Sequence, residues 1–216
     1  MPAVVNADVR EPRIRRSAED ARRAILDAAD RRLIAGGPQA VRVQLVARDI
    51  GITDAAVHYN FGSRRGLLEA LVRNAGRRLR KELMETVAAC EAGSIDIGAL
   101  VKRVQETYDT RQYARLTAWM SLAGWRPRGA GMLRRHAEAI HQARIERAAA
   151  RGKPKPTAED TLFLMVLLNL VVWAEALIGD SSRRMVGLSD DRATAERFRE
   201  WFVALLSKLT QAPAGE

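Results

Sequence analysis

The sequence predicts an all-α fold, in which three short helices at the N-terminal end precede a larger helical region. Apolar residues recur at helical spacing through most of the 216 residues, and the alternating pattern of a half-buried strand does not occur. Segments rich in Gly, Pro and Ser divide the chain into separate helices. The hydrophobic content of 47% is sufficient for a packed core.

The first four helices have recognisable boundaries. The first is predicted to begin near Ser17, because the Ser-Ala-Glu-Asp segment combines a capping side chain with acidic residues in the first turn. The Gly-Gly-Pro segment at 36–38 should end it. The next three helices are predicted at Val43–Ile50, Thr53–Asn60 and Ser63–Ala89.

The remaining helices are predicted at 96–109, 112–123, 130–150, 157–179 and 191–210, with breaks at 91–94, 124–131, 151–156 and 179–184. The fourth of these contains the longest apolar run, Thr161–Ala174. A membrane-spanning helix needs about 20 apolar residues, and this run is shorter and is interrupted by Asn169. We therefore expect a helix that is buried on most sides, and no membrane association.

Positive charge is concentrated at the N-terminal end. Residues 1–81 carry 17 basic and 9 acidic side chains, whereas residues 82–216 carry 19 and 17, within a net charge of +10. Such a bias indicates either a solvated basic face or a nucleic-acid partner. The 1–17 segment is expected to be a flexible basic arm, which either follows DNA or has no contact.

Cysteine content and the N-terminal composition bear on location. Cys90 is the only cysteine, which excludes an intramolecular disulfide and a cysteine-based zinc site and fits a reducing compartment. The first ten residues lack the features of a signal peptide. We expect a cytoplasmic protein.

The segment Val43–Phe61 has the pattern of a helix-turn-helix. Gly51 can adopt the left-handed conformation that ends a helix, and the Thr53 hydroxyl can cap the next one. Two helices joined in this way present the second to a DNA major groove. The small side chains of Ala55 and Ala56 would allow a close approach to the bases. The outer face of that helix is predicted to carry Asp54, Ala55, His58 and Tyr59.

These residues resemble the TetR/AcrR family of transcriptional regulators over about residues 20–75. The resemblance rests on Ile50-Gly51-Ile52-Thr53, His58-Tyr59-Asn60, Phe61-Gly62-Ser63-Arg64, Leu67-Leu68, Ala47, and the first-helix segment Ala24–Gly37. It implies a helix-turn-helix DNA-binding domain at 18–65 and a helical effector-binding and dimerisation domain at 66–216. Asp54 and the Val41-Arg42 pair depart from the family pattern, so the operator sequence does not follow.

Roles for individual residues follow from the motif and the resemblance together. Tyr59 is expected to reach a phosphate while its ring braces the helix, and Gln44 to contact a phosphate or an adenine edge. Asp54 either accepts from a cytosine amino group or stabilises the helix N-terminus. Arg42 and Arg64 are expected to bind phosphates, with solvent exposure as the alternative. The predicted DNA-contacting set is Arg42, Gln44, Thr53, Asp54, Ala55, Ala56, His58, Tyr59, Asn60 and Arg64.

The resemblance also implies a homodimer and a small-molecule pocket, although plain monomer core is the alternative for each set. The predicted dimer residues are Leu167, Val171, Phe198, Trp201, Phe202, Leu205 and Leu209. The predicted pocket residues are Trp119, Met120, Trp125, Met132, Phe163 and Trp173. The five-residue separation of His136 and His141 does not suit a helical metal pair, and neither a cofactor nor an enzymatic activity is expected.

Together these features predict a homodimeric repressor of double-stranded DNA that a small, hydrophobic effector releases from a palindromic operator. An activator or a ligand-independent DNA-binding protein is an alternative. A helical ligand carrier or enzyme, in which the N-terminal unit only packs, is another.

Overall fold

The computed structural model describes residues 18–89, 96–126, 131 and 133–210. Within these ranges the chain is helical and contains no strand, so the all-α prediction is confirmed. The predicted basic arm at 1–17 lies outside the described residues. The helices are α1 (Ala18–Ala40), α2 (Val43–Asp49), α3 (Asp54–Phe61), α4 (Arg64–Ala88), α5 (Ile97–Gln105), α6 (Tyr113–Leu122), α7 (Arg134–Ala150), α8 (Ala158–Met185) and α9 (Arg192–Leu209), with a π-helical turn at Glu106–Thr110.

The Gly-Gly-Pro segment interrupts α1 as predicted, since Gly37 has a φ of +68°. The predicted break at 179–184 is wrong, because α8 continues to Met185. Arg183 is buried and pairs with Glu175 and Asp180 along the same helix. These ion pairs hold the Gly- and Ser-containing segment in helical conformation.

A first core lies beneath α1, α2 and α3, which we call the head. It includes Ile25, Leu33, Val46 and Val57 of the head and the first half of α4. It also includes Tyr113, Leu116 and Met120, which belong to α6. The head therefore shares its core with the remainder of the chain, and the division at residues 65 and 66 stays a proposal.

A second core lies within helices α5 to α9, which we call the body. The second half of α4 contributes Leu79 and Leu83, which pack with residues of α5, α8 and α9. Helix α4 thus belongs to both cores. The buried members of the second core are Leu79, Leu83, Ile97, Leu100, Val101, Val104, Val172, Phe202 and Leu206.

A polar contact between α1 and α6 also joins the head to the body. The Tyr113 hydroxyl donates to Asp30 Oδ1 over 2.7 Å, and Arg78 of α4 lies 3.5 Å from the other carboxylate oxygen. Burial, followed by the Asp30 charge, raises the pKa of Tyr113 far above its usual value. The hydroxyl therefore keeps its proton and acts as the donor.

Replacing Gly66 by Ala should destabilise the junction of α3 and α4. A Cβ atom at this position would lie 2.0 Å from the Phe61 carbonyl oxygen, which is backbone and cannot rotate away. We expect a loss of about 2 kcal/mol, as for overpacking in a core, and hence a Tm lower by about 4–8 °C. Thermal unfolding measures this change.

The matched control is Gly98→Ala. A Cβ at Gly98 would lie 3.3 Å from a side-chain oxygen of Asp96, which can move. Equal Tm values for the two variants would contradict the assigned contact.

Candidate DNA-binding site

The turn between α2 and α3 has the conformation that the sequence predicts. Gly51 adopts a φ of +66°, and Ile52 donates its backbone N–H to the Ala47 carbonyl over 3.0 Å. The Thr53 hydroxyl accepts from the Ala56 N–H at 3.2 Å, so the predicted capping role is confirmed. Because the turn and the cap fix the start of α3, its outer face has a defined orientation toward solvent.

Ala55, His58 and Tyr59 form the exposed outer face of α3. Tyr59 is 90% exposed, so its ring does not brace the helix as predicted, but extends into solvent. Asp54 is half-buried in the first turn of α3, at the positive end of the helix dipole. A side chain as large and as exposed as Tyr59 is available to a partner without any rearrangement.

His58 and Asn60 each contact the backbone near the end of α3. The Nδ1 atom of His58 lies 3.1 Å from the Gly62 carbonyl, and since a carbonyl only accepts, Nδ1 carries the hydrogen. In the neutral ring Nε2 is then an exposed acceptor. The Asn60 amide donates to the Ala56 carbonyl over 2.8 Å, which uses one of its two N–H groups.

The prediction that Arg64 is a free phosphate ligand needs correction. Its Nε donates to the Val41 carbonyl at 2.7 Å and its Nη2 to the Pro38 carbonyl at 2.6 Å. Its guanidinium lies over the Trp119 ring at 5.2 Å from the centroid. Burial, followed by the charge of Arg42, lowers the pKa of Arg64. Arg64 thus fixes the loop between α1 and α2, because these carbonyls lack helical partners.

A surface cleft of about 530 Å³ brings the ends of several elements together. Arg42 and Gln44 reach it from the start of α2, His58 from α3, and Arg64 and Trp119 from α4 and α6. Arg42 and Gln44 are exposed. Two guanidinium groups near one cleft repel each other, and an anion between them would relieve that repulsion.

Two arginines of α1 position the helix-turn-helix, and no sequence pattern separates them from the other arginines. Arg22 donates to the Asn60 carbonyl over 2.5 Å and lies 4.3 Å from the centroid of the Phe61 ring. Arg32 makes two bonds of 2.6 Å to the Asp49 carboxylate, and the hydrogen bond to Arg32 lowers the pKa of Asp49. These contacts hold the C-terminal ends of α2 and α3 against α1.

The body contains an internal cavity of about 50 Å³ between α4, α5, α7 and α8. Most of its wall is apolar, including Leu79, Leu83, Ile140 and Leu168, and His136 and Asn169 also line it. Burial raises the pKa of Tyr108, whose hydroxyl donates to Asn169 Oδ1 over 2.6 Å. The cavity is therefore an apolar space with a small number of polar groups.

None of the predicted pocket residues within the described ranges lines this cavity. Trp119, Met120 and Trp125 line a separate space of about 90 Å³ beside the head. Phe163 is exposed on the outer side of α8, and Trp173 donates its ring N–H to the Thr117 hydroxyl over 2.9 Å. Met132 lies outside the described residues. Helical spacing alone did not distinguish the faces of these helices, so it did not predict which residues share this cavity.

An apolar surface covers the outer side of α8 and part of α9. Among the predicted dimer residues, Leu167, Trp201 and Leu209 are exposed, and the Phe198 ring stacks on Trp201 with centroids 6.0 Å apart. The exposed apolar residues of this surface are Leu162, Phe163, Val166, Leu167, Leu170, Ile178, Trp201 and Leu209, and we call them the α8–α9 face.

Two expectations about this region need correction. Phe202 is 4% exposed and belongs to the second core, because it lies on the inner side of α9. Val171 packs partly against the same core, and Leu205 is half-buried.

Helix α8 is not buried on most sides within one chain. By length and composition alone it is apolar enough to cross a membrane, which is weak evidence for a span.

Comparison with known proteins agrees with this geometry. The family model of the bacterial regulatory proteins of the tetR family matches residues 25–71, which hold the helix-turn-helix. Residues 25–71 of this chain are thus similar to the DNA-binding region of tetR-family regulators. The HTH-type transcriptional regulator BetI of Rhizobium meliloti (strain 1021) is 31% identical over 100 residues. That match spans 46% of this chain and about half, 49%, of the relative.

Solved structures share the fold of this chain at low sequence identity. A TetR-family regulator from Pectobacterium atrosepticum has a TM-score of 0.56 at 18% identity, covering 94% of this chain and all of the other. AibR in complex with isovaleryl coenzyme A and operator DNA has a TM-score of 0.54 at 15% identity, covering 86% and 97%. A TetR variant from Acinetobacter baumannii AYE in complex with minocycline has a TM-score of 0.53 at 16% identity, covering 90% and 97%.

Replacing Arg64 by Gln should destabilise the free protein. The variant loses two charge-assisted hydrogen bonds to backbone carbonyls, at a cost of about 2 kcal/mol, which lowers Tm by about 4–8 °C. Thermal unfolding without DNA measures this loss.

Arg65→Gln is the control, since Arg65 is exposed and pairs only along the helix, with Glu69 at 3.2 Å. Such a pair contributes about 0.2–0.5 kcal/mol. An Arg64 variant that unfolds at the same temperature as the Arg65 variant would show that Arg64 has no structural role.

Proposed function

We propose that this chain is a cytoplasmic, homodimeric transcriptional repressor that binds a palindromic operator and leaves it when a small, largely apolar effector binds. The observation that carries the proposal is the exposed outer face of α3, with Tyr59 at its edge and Arg42 and Gln44 beside it. Its relatives include a protein named as an HTH-type transcriptional regulator, and a structure of the same fold contains operator DNA. The proposal includes no enzymatic reaction and no cofactor.

In this proposal the residues of the head divide by task. Tyr59 and Arg42 bind phosphates, while Gln44 and the outer face of α3 contact base edges. Ala55 has no side chain beyond Cβ, so α3 can lie deep in the major groove. Arg64 holds the loop that precedes α2 through its two carbonyl contacts, and thereby positions Arg42.

The α8–α9 face supports the homodimer. Exposed apolar residues extend along most of α8, and a continuous apolar surface of this kind indicates a protein interface. The opposite side of α8 is engaged within the chain, through Asn169 with Tyr108 and Trp173 with Thr117. Two copies joined here would place two α3 helices on successive half-sites, about 34–36 Å apart.

Effector release follows from the position of the internal cavity. Leu79 and Leu83 of α4 line it, and the first half of the same helix packs beneath the head. The cavity of about 50 Å³ is smaller than the roughly 300–1,000 Å³ of ordinary ligand pockets. A larger effector therefore favours a state in which α4 has moved, and with it the spacing of the two heads.

Truncating Tyr59 to Ala should abolish tight DNA binding without unfolding the protein. Because the ring is 90% exposed, its loss removes no internal contact. Operator sequences selected from a random double-stranded library should be palindromic, and the variant should bind them at least about tenfold more weakly. Fluorescence anisotropy at physiological salt measures the affinity.

Leu122→Ala is the control, since Leu122 is also large and 91% exposed but lies at the end of α6. Equal affinities for the two variants would refute the assignment of the site to α3. Deleting the gene should raise transcripts that depend on the selected operators, whereas a fall would indicate activation.

Charge placed in the α8–α9 face should separate the dimer. The double variant Leu170→Glu and Trp201→Glu buries two carboxylates in the proposed interface, where they lack partners. We expect monomers in sedimentation velocity and a loss of DNA affinity of about a hundredfold or more, because avidity is lost.

Leu122→Glu introduces the same charge on an exposed apolar residue outside this face. That control should remain dimeric. A double variant that still sediments as a dimer would exclude this surface as the interface.

A further inference from the structure

His136 is a buried polar side chain in the wall of the internal cavity. It is 2% exposed and stands among apolar residues such as Leu83, Leu133 and Ile140. A buried polar group of this kind ordinarily has hydrogen-bond partners for its polar atoms. The partners of its two ring nitrogens therefore indicate what the cavity can bind.

One nitrogen of His136 has a partner that fixes the tautomer. Nε2 lies 2.8 Å from the Arg80 carbonyl oxygen, and because a carbonyl only accepts, Nε2 carries the hydrogen. In the neutral ring Nδ1 is then an acceptor. It is buried and has no hydrogen-bond partner within the part of the chain that the structure describes.

Asn169 adds a complementary group to the same cavity. Its Oδ1 accepts from the Tyr108 hydroxyl over 2.6 Å, so the group that the side chain retains for other partners is the amide NH₂. The cavity wall thus combines an acceptor, His136 Nδ1, with a donor, the Asn169 amide. A hydroxyl group is both a donor, as the first requires, and an acceptor, as the second requires.

We propose that the effector is a compact, neutral and largely apolar molecule whose hydroxyl group donates a hydrogen bond to Nδ1 of His136. This inference rests on the proposed function, because it assigns the chemistry of the effector that the cavity takes. Neutrality follows from the wall, in which no Lys or Arg occurs among the described lining residues, since a buried charge without a partner is strongly unfavourable. His136 is then the residue that determines specificity for the hydroxyl group.

Three small probes of equal size test the proposal: butan-2-ol, butan-2-one and 2-methylbutane. They share a four-carbon framework and differ in the group on the second carbon. The hydroxyl of the alcohol can donate and accept a hydrogen bond, the carbonyl of the ketone can only accept, and the methyl group of the alkane can do neither. The full-length chain contains only three histidines, so the imidazole ¹⁵N resonances are readily assigned. Butan-2-ol should shift the Nδ1 resonance of His136 in a saturable way, and should bind about tenfold more tightly than butan-2-one, as expected for one hydrogen bond to a buried acceptor.

The variant His136→Phe keeps an aromatic ring of similar size and removes the Nδ1 acceptor, together with the N–H donor to the Arg80 carbonyl. The preference for the alcohol over the ketone should fall from about tenfold to about onefold in this variant. His141→Phe is the matched control, since His141 lies on the same helix but hydrogen-bonds to Thr161 and does not line the cavity. It should retain the preference of the parent protein.

Three results would overturn the proposal: no saturable binding of butan-2-ol, equal affinity of the parent protein for the alcohol and the ketone, or an unchanged preference in His136→Phe. The first two need no variant, so they decide the matter even if the substitution impairs folding. None of these measurements involves DNA. A negative result in these measurements would therefore count against the proposed effector chemistry and not against operator binding by α3. A failure of operator binding would be detected in the Tyr59 experiment alone.

Discussion

The first half of helix α4 packs beneath the helix-turn-helix, and its second half packs into the body. Most other features of the chain depend on the fact that this one helix contributes to both cores. Leu67, Leu68 and Leu71 belong to the first core, and Leu79 and Leu83 to the second. A close-packed core transmits displacement rather than absorbing it. In the proposed mechanism, a change at the cavity, which Leu79 and Leu83 line, therefore alters the orientation of α3.

The arginines of the N-terminal region have two different tasks, and their hydrogen-bond partners within the chain separate them. Arg22, Arg32 and Arg64 bond to a carbonyl or a carboxylate within the chain and hold the helix-turn-helix in place. Arg42 is exposed beside Gln44. The excess of positive charge therefore overstates the number of side chains that are free for phosphate, because a guanidinium also satisfies carbonyl oxygens that a loop or a helix end leaves without partners.

The α8–α9 face shows how a helix can be apolar on nearly all sides without lying at the centre of one chain. Val172 of α8 is buried in the second core, whereas Leu170 and Phe163 are exposed. The polar residue in the apolar run, Asn169, is directed inward and accepts from Tyr108. The apolar side chains of α8 that do not belong to the core thus lie on its outer side, which a second copy of the chain would cover in the proposed homodimer.

The sequence by itself determined the all-α class, most helix boundaries, the Gly51 turn, the Thr53 cap and the resemblance of the N-terminal region to the TetR family, because these depend on local conformation and on residues close together in the chain. Only the tertiary structure decided which large side chains share a space. Trp119, Met120 and Trp125 lie beside the head, Phe202 lies in the core, and His136 lines the cavity. Helical periodicity predicts which residues share one face of a helix. It does not predict which other helix that face contacts, because this depends on how helices that are distant in the chain pack together. The same limit explains Arg64, whose two carbonyl partners are 23 and 26 residues away along the chain.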